Sequence, residues 1–202
     1  MFLQVVQGRM ANSQEVRTAL DRWVAELSPT ATGWLGSTVG VTEGGLLIAT
    51  VRFTSEETAR RNSSRPGQDV WWTETSRLFT GKVTFHDCRE VVLLGAGGSD
   101  DARFVQVIQG RSDNVTRLRE LARAFEPMMS IYRPELLGST IGLHGDGGFT
   151  QAAYFTNEGE ARRGESQESP PEMAAFLEEE RSLLRDLSYY DLRDPWLYSP
   201  SP

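Results

Sequence analysis

The chain opens on an alternating run. Over residues 2–7, Phe2, Gln4 and Val6 fall on one face of an extended segment and Leu3, Val5 and Gln7 on the other. Apolar side chains on both faces predict a strand that is covered on both sides. The period then changes. Val16, Ala19, Leu20, Trp23, Val24 and Leu27 recur at helical spacing, one apolar stripe on an amphipathic helix. Asn12 or Ser13 supplies its cap, Glu15 stands in the capping-box position, and Ser28-Pro29 ends it. Strands are predicted over residues 34–41 and 46–53, joined at Glu43-Gly44-Gly45, where glycine accepts the positive φ of a tight hairpin. Ser55 caps a short helix over residues 56–61, and residues 62–68, with Ser, Pro and Gly, read as a loop. A helix over residues 70–79 follows, with Trp71, Trp72, Thr75, Leu78 and Phe79 on its apolar side and Gly81 as its stop. A fourth strand is predicted over residues 82–91. The order is strand, helix, strand, strand, helix, strand, the βαββαβ pattern of the ferredoxin-like fold.

The pattern then returns. Phe2-Leu3-Gln4-Val5-Val6-Gln7-Gly8-Arg9 reappears as Phe104-Val105-Gln106-Val107-Ile108-Gln109-Gly110-Arg111, an offset of 102 residues. The same offset pairs Leu35-Gly36-Ser37-Thr38-Val39-Gly40 with Leu137-Gly138-Ser139-Thr140-Ile141-Gly142, and Ala59-Arg60-Arg61 with Ala161-Arg162-Arg163. The repeat is too long for a solenoid unit and marks the duplication of a whole domain. In the second copy Leu118, Leu121, Ala122 and Phe125 line one side of a helix capped at Asp113 or Asn114. Strands over residues 137–143 and 149–155 flank a Gly-rich turn. A last helix is predicted over residues 171–187, with Met173, Phe176, Leu177, Leu184 and Leu187 as its stripe and Glu178-Glu179-Glu180 as a solvated face. Strand four is predicted over residues 189–193.

The expected fold class is therefore α+β, with two tandem ferredoxin-like units. Unit 1 spans residues 1–94, a Gly-rich linker 95–102, unit 2 residues 103–194 and a tail 195–202 that packs by Trp196 and Tyr198. Each such sheet has one helix-free apolar face. The expectation is that the two units pack sheet to sheet as an intrachain pseudo-dimeric α+β barrel.

Charge and composition narrow the function. The net charge is −7, and residues 96–202 hold eighteen acidic side chains against eleven basic ones. An acidic chain without a basic stripe argues against a nucleic-acid partner. No apolar run approaches the ~20 residues of a membrane span, and no signal-peptide pattern opens the chain. A cytoplasmic protein with no membrane partner is expected, as a monomeric pseudo-dimer or a homodimer. Cys88 is the single cysteine, which excludes an intrachain disulfide.

Few residues are equipped for chemistry. His86 lies in strand four, two residues from Cys88 and on the same face. It reads either as a general base or as a half-buried strand histidine. A His-Cys pair is too few ligands for zinc, so no metal site is expected. His144, the other histidine, precedes a Gly-rich turn and reads as exposed. Trp34, Trp71 and Trp72 line a pocket for a flat aromatic ligand or simply build the core. Arg52 in strand three suits an anionic group. Gln4, Gln7, Gln106 and Gln109 sit in covered strands, where buried amides need partners; they pair with one another or reach into a pocket. Asp87 with Arg89, and Asp191 with Arg193, read as ion pairs on one strand face.

The first-strand pattern, Phe53-Thr54-Ser55-Glu56-Glu57, the loop with Pro66 and Trp71-Trp72 resemble the antibiotic biosynthesis monooxygenase family of the dimeric α+β barrel superfamily. Its members are single ferredoxin-like units that dimerise, and this chain resembles a tandem, fused form. The resemblance implies a small-molecule enzyme or binder, cofactor-free if it is an oxygenase, with a small hydrophobic or aromatic molecule held between sheet and helices of unit 1. His86 would be the base, with Trp72, Trp71, Trp34, Arg52 and Gln7 around the substrate. It does not extend to the haem-degrading relatives. Those carry a helix-borne histidine and an asparagine late in strand one, whereas no histidine lies in residues 70–79 or 171–187, and Gly8 and Gly110 stand near the asparagine position. The alternative is a non-catalytic ligand-binding or assembly protein with the same fold.

Overall fold

The computed structural model describes residues 1–168 and 170–200, with the side chain of Glu172 left aside. The first copy of the repeat runs β1 (Phe2–Arg9), α1 (Ser13–Glu26), β2 (Trp34–Val41), β3 (Leu46–Phe53), α2 (Glu56–Ser63), α3 (Pro66–Thr75), β4 (Thr84–Cys88) and β5 (Glu90–Gly95). The second runs β6 (Phe104–Ser112), α4 (Val115–Tyr132), β7 (Leu136–Leu143), β8 (Gly148–Phe155), α5 (Glu158–Ser166), α6 (Pro171–Leu183), β9 (Leu184–Leu192) and β10 (Trp196–Tyr198). The α+β class and the tandem ferredoxin-like order are those the hydrophobic pattern predicts.

Local chemistry sets the helix starts. The Asn12 side chain accepts from the backbone N–H groups of Gln14 and Glu15, and Ser55 forms a capping box with Thr58. Asn114 and Asn157 cap α4 and α5 in the same way. Proline opens α3 and α6, where its fixed φ is already helical and its missing N–H costs nothing. That is why α3 begins at Pro66, four residues before the predicted helix. The last helix ends earlier than predicted, at Leu183. Leu184 and Leu187 belong instead to β9, and they pack on the core of Val92, Leu118 and Phe149 from a strand.

Each compact unit has its own five-stranded antiparallel sheet, in the order β10-β2-β3-β1-β4 for one and β5-β7-β8-β6-β9 for the other. The predicted strand over residues 82–91 is two strands. Cys88 is the last residue of β4 to pair with β1, opposite Leu3, whereas Glu90 begins β5 and pairs with Leu143 of β7. Trp196, Leu197 and Tyr198 pair with Val39, Thr38 and Ser37. The expected tail is thus an edge strand of the first sheet; its last two residues, 201 and 202, lie outside the described residues. Unit 1 comprises Met1–Arg89 together with residues 194–200, and unit 2 is Glu90–Arg193.

In unit 1 the even positions of β1 share a face with the odd positions of β3. Phe2 and Phe53 pack with Trp23 of α1 and Ala59 of α2, while Val6, Leu47 and Ala49 pack with Val16 and Leu20. Gly8 permits this packing, because a β-carbon there would stand 2.5 Å from the Phe79 ring. Gly36 sits at φ +127° where the β2–β3 register shifts, a bulge that a side chain would strain. No helix among the described residues is long and apolar enough to cross a membrane.

Candidate functional site

Between the sheet and the helices of unit 1 lies a cavity of about 280 Å³. Its floor is β1 and β3, contributing Gln4, Val6, Ala49 and Val51, and its roof includes Trp23, Trp71 and Trp72. Three indole N–H groups are spoken for. Trp23 Nε1–H donates to Gln68 Oε1 at 2.6 Å, Trp34 Nε1–H to Ser37 Oγ at 3.0 Å, and Trp71 Nε1–H to the Ala19 carbonyl at 2.8 Å. Trp72 packs at 6.2 Å on Phe79, and Phe85 meets it edge-on at 5.5 Å.

Polar atoms are few and placed. Gln4 Nε2–H donates to Asp87 Oδ1 at 2.8 Å, and Asn62 Nδ2–H reaches Gln68 Oε1 at 3.4 Å. The Oδ1 of Asn62 and the hydroxyl of Thr75 are buried without a partner, and both residues line the cavity. Such groups carry a desolvation cost of about 1–3 kcal/mol each until something bonds them.

The expected site residues divide. Trp71 and Trp72 line the cavity. Trp34 stands behind its wall, edge-on to Trp23 at 5.1 Å and bonded to Ser37. Gln7, Arg52 and His86 do not line it. The β1–β4 ladder sets Gln4 opposite Asp87 and Val6 opposite Phe85, whereas His86 is opposite Val5. With period-two alternation, Gln7 and His86 therefore share the face turned away from the helices. Arg52, opposite Leu3, has the same parity, and its guanidinium donates to the Leu35 carbonyl at 3.3 Å. Asp87 does not pair with Arg89; Glu56 does, at 2.6 and 2.9 Å, and Arg89 holds the Glu56 carboxyl below the usual carboxylate range. Cys88 is fully buried and its thiol is pushed up to about 12, chiefly by desolvation.

Unit 2 has a cavity in the corresponding place, of about 580 Å³. The lining follows the repeat: Gln106 answers Gln4, Ile108 answers Val6, and Phe125 answers Trp23. The chemistry does not follow it. Gln151 stands where unit 1 has Ala49, and Arg133, Arg162, Glu165, Glu180 and Asp191 also line the space. Arg162 bonds Asp191 at 2.5 Å and Glu165 at 2.9 Å, with its guanidinium 5.2 Å from the Phe104 ring centroid. Arg133 bonds the buried Glu135 at 2.5 Å. Gly164 replaces Asn62 and makes room for that pair, since a β-carbon there would stand 2.8 Å from Arg133 Nε.

Three sequence expectations change here. Gln4 and Gln106 line the cavities of their own units, each bonded to the aspartate opposite it. Glu180 is not on a solvated face; it lines the cavity, and burial raises its carboxyl above the ordinary range. A signal for it exists in Met173, Phe176, Leu177 and Glu180, which follow the apolar stripe at i, i+3, i+4 and i+7. His144 is half-buried rather than exposed, with Nε2 3.1 Å from Thr150 Oγ1.

No protein-family profile and no curated protein matches the chain. Solved structures match it over its whole length. One from Lactobacillus acidophilus, provisionally described as a monooxygenase, is 12% identical with a TM-score of 0.75, covering 97% of this chain and 98% of its own. One from Fusobacterium nucleatum, described in the same way, is 9% identical with a TM-score of 0.78, covering 99% and 94%. A third, described as an anthrone oxidase-like protein, is 11% identical with a TM-score of 0.63 over 100% and 91%. The shared feature is the fold: this chain has the full-length architecture of proteins described as monooxygenases.

Proposed function

We propose that the chain binds a small, apolar, aromatic molecule between the sheet and the helices of unit 1. The observation that carries this reading is a tryptophan-walled cavity whose lining includes Asn62 and Thr75, each with a buried polar atom that nothing bonds, Oδ1 and Oγ1. Apolar walls with a few fixed polar groups are what small-molecule sites have in common, and about 280 Å³ lies just below their ~300–1,000 Å³ range, which suits a small ligand. The ligand that completes the site is flat, stacks against Trp72 and carries one hydroxyl. That hydroxyl donates to Asn62 Oδ1 and accepts from Thr75 once side-chain rotation turns these two buried atoms into the cavity.

A second reading, cofactor-free oxygenation of that ligand, is supported by the descriptions of the proteins with the same full-length fold. In that chemistry a deprotonated substrate reduces oxygen itself, so the protein must supply a base. His86 stands on the other sheet face, and the one carboxylate among the unit 1 cavity residues, Asp69, is exposed. Binding is therefore the stronger of the two readings.

Calorimetric titration with 1-naphthol tests the site. Saturable binding that weakens at least about tenfold in Trp72→Ala is the expected result. No heat from the folded wild type, or equal affinity in the variant, overturns it. Consumption of dissolved oxygen on adding the ligand would decide for the second reading.

A further inference from the structure

The unit 2 cavity differs from its counterpart in one respect that the repeat does not explain: it holds a half-buried carboxylate with no partner, whereas Asp69, the carboxylate of the unit 1 cavity, is exposed. Its lining carries two arginines and three acids. Both arginines are engaged, Arg133 by Glu135 and Arg162 by Asp191 and Glu165. Its two neighbours on α6 are also engaged, Glu178 by Arg181 and Glu179 by Arg117 at 2.6 Å. Glu180 makes no hydrogen bond and no ion pair with any described residue.

Glu180 is the one lining side chain whose charge has no ion pair among the described residues. Gln106 and Gln151 each spend one N–H, on Asp191 and on Ser139, and their amide oxygens remain as acceptors in an acidic cavity. Arg133 Nη2 is buried without a partner, and its guanidinium lies against the Phe155 ring. A ligand there meets amide acceptors and one carboxylate without an ion pair among the described residues. The walls are apolar and aromatic, including Phe149 and the stacked pair Phe125 and Phe176, whose centroids are 5.8 Å apart. Aromatic faces around a carboxylate suit a cation on an apolar body.

We propose that the unit 2 cavity is a second ligand site, selective for a hydrophobic amine whose ammonium group pairs with Glu180 and donates to the amide oxygens of Gln106 and Gln151. The two copies of the repeat would then serve different ligands, a neutral aromatic in unit 1 and a cationic amphiphile in unit 2. This inference does not rest on the unit 1 reading. Burial that disfavours the Glu180 carboxylate agrees with it, because a bound cation would restore the charge.

The test is calorimetry on the full chain with 4-phenylbutylamine, 4-phenylbutanol and 4-phenylbutyrate, which share one apolar body and differ in charge. The expected order is amine above alcohol above carboxylate. Glu180→Gln should weaken the amine at least about tenfold and leave the alcohol within about twofold. The three-ligand order needs only the wild type, so it stands even if the variant folds poorly. All five tryptophans lie in unit 1, so amine binding should persist in Trp72→Ala and in the presence of saturating 1-naphthol. An amine that binds no better than the alcohol, an unchanged amine affinity in folded Glu180→Gln, or displacement of the amine by 1-naphthol each overturns the proposal.

Discussion

Phe85 and His86 are neighbours on β4 that face opposite sides of the sheet: the Phe85 ring lies 5.5 Å from that of Trp72, while His86 sits opposite Val5 of β1. One residue of register decides which of them a ligand in unit 1 meets. His86→Ala should therefore leave 1-naphthol affinity within about twofold. Phe85→Ala, which removes an aromatic wall, should weaken it about two- to tenfold. Titration of both variants checks this; a larger loss in His86→Ala than in Phe85→Ala would be the contrary outcome.

Trp71 and Trp72 should separate by role. The Trp71 indole ties α3 to the backbone of α1 through Ala19. Trp71→Phe should lower stability to denaturant by about 1 kcal/mol, the worth of one such bond. Trp72→Phe removes no hydrogen bond among the described residues and should cost less. Urea unfolding curves for the two variants compare them directly.

Glu180 gives stability a pH dependence of defined sign. Its carboxyl is raised in the folded chain by desolvation. Between the unfolded carboxyl pKa and the raised folded one, the native state holds more protons, so stability falls as pH rises through that window. Above it the penalty is fully present. Glu180→Gln should raise the melting temperature at pH 8 and leave it little changed at pH 4. Melting curves across pH 4–8 would show the two proteins converging at the acid end; parallel curves would contradict the assignment.

The Cys88 thiol should be unreactive in the native protein. It is fully buried, and desolvation together with the Asp87 charge pushes its pKa up to about 12, so little thiolate exists near neutrality. Ellman's reagent should titrate no thiol at pH 8 until denaturant is added, and one thereafter. Prompt labelling of the folded protein would refute this.

Removing β10 should expose β2. Trp196 is buried against Val39 and lies under the Arg17 guanidinium at 5.5 Å, and Tyr198 donates to Asp21 at 2.8 Å. A chain cut after Arg193 loses a paired edge and the core contribution of an aromatic side chain. It should unfold at a lower denaturant concentration and aggregate through the bare edge of β2. Light scattering beside a circular-dichroism melt follows both effects, and an unchanged midpoint would contradict the assigned role of Trp196.

What could be read from the chain depended on how local each feature is. Period-two and helical spacing placed β1, α1, β2 and β3, and Trp71 and Trp72 could be put on the sheet-facing side of a helix, because an amphipathic stripe has one place to go. Strand faces were harder. Gln7 and His86 share a face, but only the ladder with β1 and the packing of Val6 on α1 reveal which face meets the helices. The break at Arg89 was also hidden, since the choice of sheet for residues 90–95 is made by hydrogen bonds to β7, some fifty residues away. Glu180 was obscured by composition: in a run of three glutamates, the one that continues the stripe of Phe176 and Leu177 looks like its solvated neighbours. Asn62 and Thr75 gave no sign, because an unbonded buried acceptor is a property of the cavity around it.

The pairing of Trp196–Tyr198 with Ser37–Val39 sets a schedule on biogenesis. During synthesis, every residue of β1 to β4 is made before a hundred residues of unit 2 and then β10 appear. Unit 1 must wait for that whole interval with the edge of β2 open, whereas β7 finds β5 already made when it emerges. The second copy of the repeat can therefore complete its sheet first, although it is translated last. Slow translation or early termination in the second half would leave the first half incomplete and prone to self-association.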